Sequence, residues 1–309
     1  AVVDVEHLIP AAARVKTQYQ LAVLLAEGVL DLVAVAPLLV GLDHGIDVDV
    51  TELADPSQSV GDLLLLEGEL PLVAQGLPGG AGAGLALMEI GVRQAIRAGI
   101  DGFSVDLLTL SEGNRNTKNV RLLLQAAHSV DRHFAVMLVP DMTTSVGTKS
   151  PARLAADLAA LAKYPAAFRL ADGRLVVSPF KAEVHPVSWW RQFISVMRET
   201  YGIRVAFVPQ FLDLRANLNR FSPISYGMSH WGTRNPAWND PGSTHAGSTR
   251  ALAGTVRSRG MLWMQPVSYQ DERPRSGVFE EAQNTRNLRW TWLLAMRTRA
   301  QWVQLVTWN

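Results

Sequence analysis

Carboxylates in this chain fall where short apolar runs stop, and aromatic and amide side chains accompany them there. Asp106 sits inside the run 103–108, Asp141 follows Pro140 at the end of 134–139, and Glu183 comes just past 175–180, two residues after Lys181. Gln210 and Asp213 follow 205–208. Tyr226, Ser229, His230 and Trp231 follow the short apolar segment 223–227, and Gln265, Ser268, Gln270, Asp271 and Glu272 follow 261–265. Thr307, Trp308 and Asn309 close the last run. Paired carboxylates can divide the work of glycoside cleavage: one acid protonates the glycosidic oxygen, and a second carboxylate activates water or attacks the anomeric carbon. Aromatic faces stack on the apolar faces of pyranose rings, while Asn, Gln, His and Tyr hydrogen-bond hydroxyls.

Each of these residues has a plainer reading beside the chemical one. Asp106 could hydrogen-bond a neighbouring turn, although burying an unpaired carboxylate is costly. Asp141 could be a turn or helix-cap residue, and Glu183 could pair with Lys181. Asp271 and Glu272 could form a loop ion pair with Arg273. For Asp213, close to Arg215, the structural reading is the stronger. Trp231 and Trp308 at run ends are ligand candidates, whereas Trp290 and Trp292 have helical surroundings and read as packing residues. His128, His133 and His185 show no metal-ligand spacing, so no metal or other cofactor is expected. No Gly-x-Ser-x-Gly elbow is present.

The elements that must position these groups alternate between two periods. Helices are expected over 89–98, 119–128, 151–163, 188–199, 248–258 and 279–298, the third opened by Ser150 as cap and Pro151 as first helical residue. Strands are expected over 103–108, 134–139, 175–180, 205–208, 223–227, 261–265 and 302–307, with a long loop from 228 to about 247. Strands alternating with helices argue for an α/β fold with a parallel sheet, and seven such units in 309 residues favour a TIM-type (β/α)8 barrel, incomplete at both ends. The glycine-rich run 79–84 lacks the strand–turn–helix context of a dinucleotide site. An eighth strand is expected from residues 1–80. In a barrel of this kind the site lies at the carboxyl ends of the strands.

Composition narrows the partners. A formal net charge of +1 gives no reason to expect nucleic acid, and zero cysteines exclude disulfides and thiolate chemistry. No apolar run has the length of a membrane span; the richest, 21–40, is interrupted by Glu27 and Asp31. The same stretch lies too far from the start to be an ordinary signal peptide. Charge is unevenly spread. Residues 1–90 hold 13 acidic residues against two basic ones, Arg14 and Lys16, and no Trp or Phe, whereas all nine Trp lie beyond residue 188. That break divides the chain at 85/86 into an atypical acidic segment, read as foreign or frame-shifted, and a barrel domain cut at its last strand.

Over 86–309 the chain resembles glycoside hydrolase family 71, specifically its bacterial branch. The resemblance is carried in order by 93–103 (RQAIRAGIDGF), 137–142 (MLVPDM), 171–183 (ADGRLVVSPFKAE), 223–227 (PISYG), 263–268 (WMQPVS) with 270–274 (QDERP), and 302–309 (WVQLVTWN). It implies a barrel that hydrolyses α-1,3-glucan, inversion at the anomeric carbon, no cofactor, and an enzyme secreted to meet a polysaccharide outside the cell. It also implies carbohydrate-active roles for Asp101, Asp106, Asp141 and Glu183, without dividing acid from base among them. Fungal members carry acidic residues in the loop that here spans 229–234, where this chain has none. Either Asp240 substitutes, or the roles pass to Asp271 and Glu272, or the activity differs. The alternatives to a glucanase are a carbohydrate-binding barrel without catalysis, and another hydrolase on the same fold. Oligomeric state stays open.

Overall fold

The computed structural model describes residues 32–37, 81–269, 271–273, 278–280 and 282–306. The reading of residues 1–85 as a foreign or frame-shifted segment therefore falls mostly outside the described residues, which there include only 32–37 and 81–85. Trp308 and Asn309 also lie outside them.

In chain order the elements are β1 (Leu32–Pro37), α1 (Ala81–Arg97), β2 (Gly102–Leu107), α2 (Arg115–Val130), β3 (Ala135–Pro140), α3 (Pro151–Leu161), β4 (Leu175–Val177), α4 (Val187–Tyr201), β5 (Val205–Phe207), β6 (Gln210–Phe211), α5 (Leu214–Phe221), β7 (Gly227–His230), α6 (Pro236–Asn239), α7 (Thr244–Ser258), β8 (Leu262–Ser268), β9 (Asp271–Arg273), β10 (Val278–Glu280), α8 (Arg286–Arg297) and β11 (Trp302–Val306). Local chemistry explains several boundaries. Ser150 Oγ accepts from Arg153 N and Pro151 opens α3, as the sequence predicts. Gly202 ends α4 in the left-handed region at φ 66°.

One sheet holds nine of the strands in the order β5-β4-β3-β2-β1-β11-β8-β7-β6. Its two end pieces, β5 and β6, are successive stretches of a single run of chain. That run reaches both neighbours: Val208 N and Gln210 N donate to Val177 O and Pro179 O, while Tyr226 N and Ser229 N donate to Phe207 O and Pro209 O. The ends of the sheet thus meet along 205–211, giving a TIM-type barrel of alternating strands and helices. Within this sheet all strand pairings are parallel except those of β1, which runs antiparallel to both β2 and β11. Residues 1–80 do supply a strand, but it departs from the expected parallel unit. A barrel strand is covered on both faces, so an all-apolar run such as LVAVAP carries no pattern that fixes its direction.

Alternation along the strands divides the core in two. Outward residues such as Val105, Leu138, Val177, Trp263 and Val303 join the large cluster beneath the helices. Inward residues Met137, Val139, Val176, Ala206, Val208, Met264 and Trp302 form a second cluster inside the barrel. Towards the carboxyl ends this interior turns polar: Gln304 Nε2 lies 3.3 Å from Ser104 Oγ, and Gln210 Nε2 lies 3.1 Å from Ser178 Oγ.

Three expected elements differ. The helix expected over 279–298 begins only at Arg286. Val278–Glu280 is instead a strand paired with Asp271–Arg273, and Gln283 and Asn284 take positive φ (51° and 58°), which a helix cannot contain. Helix α5 falls between the expected strands 205–208 and 223–227, a stretch to which no element was assigned; Asp213 Oδ1 accepts from Ala216 N, and Leu214, Leu218 and Phe221 face the core. Finally, the loop 228–247 contains most of β7, all of α6 and the first turn of α7.

Candidate active site

The parallel strands bring Asp106, Asp141 and Glu183 to one end of the barrel. Asp106 stands opposite Val139 in the β2–β3 register, and Asp141 is bridged to Phe180 just past β3. Parity with Ser104 on β2 and with Met137 and Val139 on β3 turns both carboxylates inward. One strand across and two residues along places their Cα atoms roughly 8 Å apart. Backbone bonds anchor Asp141 on both sides: its N–H donates to Leu107 O, while Phe180 N donates to Pro140 O and Met142 N to Phe180 O. Its Oδ1 accepts from Thr143 N and Thr143 Oγ1, both at 2.7 Å, and among the described residues nothing donates to Oδ2. The turn reading of Asp141 is therefore half right: one oxygen builds the turn and the other is available. Asp106 has its Oδ1 buried in the same mouth.

Glu183 lies in the short 3-10 turn Ala182–Val184, after Lys181, whose φ of 50° is unfavourable for a side chain with a Cβ. The turn is held from below by Trp190 Nε1, which donates to Ala182 O at 2.9 Å. Glu183 does not pair with Lys181. Its Oε1 accepts from Leu212 N (2.8 Å) and Asp213 N (3.1 Å), tying the end of β4 to the end of β6, and its Oε2 is buried without a hydrogen bond. Glu183 thus acts as a strap between strands. Glu183→Ala is expected to cost about 1–2 kcal/mol by leaving two N–H groups without their acceptor, while Glu183→Gln keeps one oxygen and most of the stability. Urea unfolding of the two variants checks this.

The loop after β7 supplies an aromatic wall. Trp231 packs on Phe180 with ring centroids 4.5 Å apart, and the Arg234 guanidinium lies 4.9 Å over the Trp231 ring. Arg234 is buried, and its Nη1 donates to Trp231 O at 3.1 Å. Gly232 (φ 78°) allows the tight turn, since a Cβ there would lie 2.7 Å from Pro266 Cγ. Two buried amides that sequence reasoning missed fix this loop. Asn239 Nδ2 donates to Thr233 O and to Asn287 Oδ1, while Asn287 Nδ2 donates to Arg234 O and Tyr269 O, each of the last three at 2.8 Å. Nothing in the local pattern marks Asn287, because its partners lie up to 53 residues away.

Other expected site residues stand elsewhere. Asp101 immediately precedes β2, and Tyr226 immediately precedes β7 with Arg174 over its ring at 4.5 Å, so both sit at the amino ends of the strands. Gln265 lies within β8 rather than at its end. It faces outward beside Trp263, whose Nε1 donates to its Oε1, and its own Nε2 donates to Pro266 O. His230 also faces outward, stacked on Trp263 at 5.6 Å, with Nδ1 accepting from Gly232 N. These four do not join the mouth. Asp271 and Glu272 occur in the β9–β10 hairpin, and of their side chains nothing further is described. Asp240 Oδ1 accepts from Gly242 N in a turn.

His230 makes the fold sensitive to acid. Burial, and secondarily His245 and Arg234, lower its pKa from 6.5 to about 3. Between those values the unfolded chain holds a proton on this imidazole that the folded chain does not. Stability is complete above about pH 6.5 and is lost as pH falls towards 3, at no more than roughly 1.4 kcal/mol per pH unit. His230→Asn, which retains an acceptor for Gly232 N, is expected to flatten that slope in denaturant titrations from pH 7 to 4.

With this geometry in place, residues 87–309 match glycosyl hydrolase family 71. The chain belongs to glycosyl hydrolase family 71. This family-71 chain is a glycoside hydrolase, and its partner is a polysaccharide. Two solved structures of a GH99 endo-α-mannosidase from Bacteroides thetaiotaomicron are similar in fold. One, in complex with bis-tris-propane, gives a TM-score of 0.58 at 15% identity, covering 72% of this chain and 70% of the other. The second gives 0.57 at 16% identity, covering 72% and 66%. Among curated proteins none matches the chain. In this family-71 chain, no group of three or more His, Asp or Glu among the described residues is placed to hold a metal ion.

Proposed function

We propose that this glycoside hydrolase cleaves α-1,3-glucan outside the cell, with Asp141 and Asp106 as the working pair. The observation that carries the reading is their placement on adjacent strands at the barrel mouth, with Asp141 Oδ2 open to a ligand. One carboxyl group donates its proton to the glycosidic oxygen as the bond to the anomeric carbon breaks. The other takes a proton from the water that attacks that carbon from the opposite face, and solvent restores both groups. Inversion needs carboxyl groups ~6.5–9.5 Å apart, with room for a water between them, and it is the outcome that the resemblance to family 71 implies. Trp231 and Phe180 offer the aromatic wall for a pyranose ring, and Glu183 holds two strand ends in register beneath it.

The test is incubation of the full chain with insoluble α-1,3-glucan, following reducing ends and the anomeric configuration of fresh products by NMR. Release of β-configured products, undiminished by EDTA, is expected. Activity confined to β-linked glucans, or a loss with EDTA that a divalent ion restores, counts against the reading. The absence of a carboxylate between Ser229 and Arg234 favours a second reading, a barrel that binds glycan without cleaving it. Adsorption without any reducing-end release would identify that case.

A further inference from the structure

Trp238 is the one exposed tryptophan among the described residues, with 53% of its surface open. A single exposed apolar side chain needs no explanation by itself. This one, however, is held in place from four sides. Its N–H donates to Asn235 O, and its carbonyl accepts from Ser243 Oγ at 2.6 Å. Its ring stacks on His245 with centroids 4.9 Å apart and planes 23° from parallel. Its chain neighbour Asn239 is buried and bonded to Thr233 and Asn287. The indole is thus backed on one face by an imidazole, with much of its remaining surface open, on a loop anchored to the same carboxyl end as Asp106 and Asp141.

We infer that Trp238, supported by His245, is a stacking platform for a pyranose ring of the polysaccharide, set on the rim outside the cleavage mouth. The face of a pyranose ring presents C–H hydrogens with partial positive charge, which complement the negative face of an indole. A ring already ordered by its neighbours loses little freedom when a sugar docks, so more of the contact appears as affinity. For an insoluble substrate, such a platform keeps the enzyme on the chain between cleavages.

The choice of α-1,3-glucan as ligand rests on the proposed function, and the experiment separates the two. Full-length protein, Trp238→Ala, Trp238→Phe and His245→Ala are adsorbed at 4 °C to insoluble α-1,3-glucan, mannan and cellulose, with thermal melting as the check on folding. On the glycan that retains the wild type, Trp238→Ala is expected to bind about tenfold more weakly at unchanged melting temperature. Trp238→Phe is expected to recover most of that loss, and His245→Ala to fall between. Retention on mannan or cellulose but not on α-1,3-glucan overturns the substrate reading, while the platform stands if Trp238→Ala still weakens adsorption. Equal adsorption by wild type and Trp238→Ala overturns the platform, as does a wild type retained by none of the three. If Trp238→Ala melts early, Trp238→Phe and His245→Ala decide; adsorption equal to wild type in both overturns the platform. A wild-type dimer that Trp238→Ala turns into a monomer of equal adsorption would assign this ring to self-association and also overturn it.

Discussion

Asp141→Asn is expected to lower kcat on glucan by about a thousandfold, within the range that a positioned acid or base contributes. The substitution is close to isosteric. Asn Oδ1 can still accept from Thr143 N and Thr143 Oγ1, which hold the aspartate now. The backbone bonds of residue 141 to Leu107 and Phe180 do not involve the side chain. Melting temperature is therefore expected to stay within a few degrees of wild type, and the loss to be chemical. An activated aryl glycoside then separates the two roles. If Asp141 is the general acid, a leaving group that needs no proton rescues most of the rate. If Asp141 is the base, the deficit stays the same. Activity within threefold of wild type would remove Asp141 from the reaction.

Asn287→Ala is expected to destabilise the fold by about 3 kcal/mol and to lower Tm by roughly 5–10 °C. Asn287 is fully buried and takes part in three side-chain hydrogen bonds, so its truncation leaves Arg234 O, Tyr269 O and one donor of Asn239 without partners in a place water does not reach. Asn287→Asp is expected to be worse, because a carboxylate would face two carbonyl oxygens. The damage extends beyond stability: the loop that positions Trp231 and Arg234 hangs from this residue, so KM on glucan is expected to rise in any variant that still folds. A calorimetric scan together with Michaelis–Menten kinetics checks both parts. A Tm within about 2 °C of wild type would mean that the amide network is not what holds the loop.

The barrel was legible because strand stops and helix starts are written in local chemistry. Pro140 ends β3 one residue before Asp141, and Ser150 with Pro151 opens α3 where the sequence says it does. The acidic half of the mouth followed from the same signals. Facing was harder to read. Gln265 seemed to end its strand, but β8 continues to Ser268, and a one-residue difference in parity turns a side chain from the barrel interior to the helix layer. His230 went the same way. Tyr226 was misplaced because the strand beside it begins at Gly227 rather than ending there. Strand β10 runs into a stretch that reads as helix, 279–298, since Gln283 and Asn284 carry no obligatory sign of positive φ. Asn239 and Asn287 act over distances in sequence that no periodicity reports.

Pro209 has no N–H, so the run 205–211 lacks one rung where β5 passes into β6 and the sheet changes neighbours. The circle consequently has a clasp in a known position. Glu183, reaching from the end of β4 to the start of α5, works as the pin of that clasp.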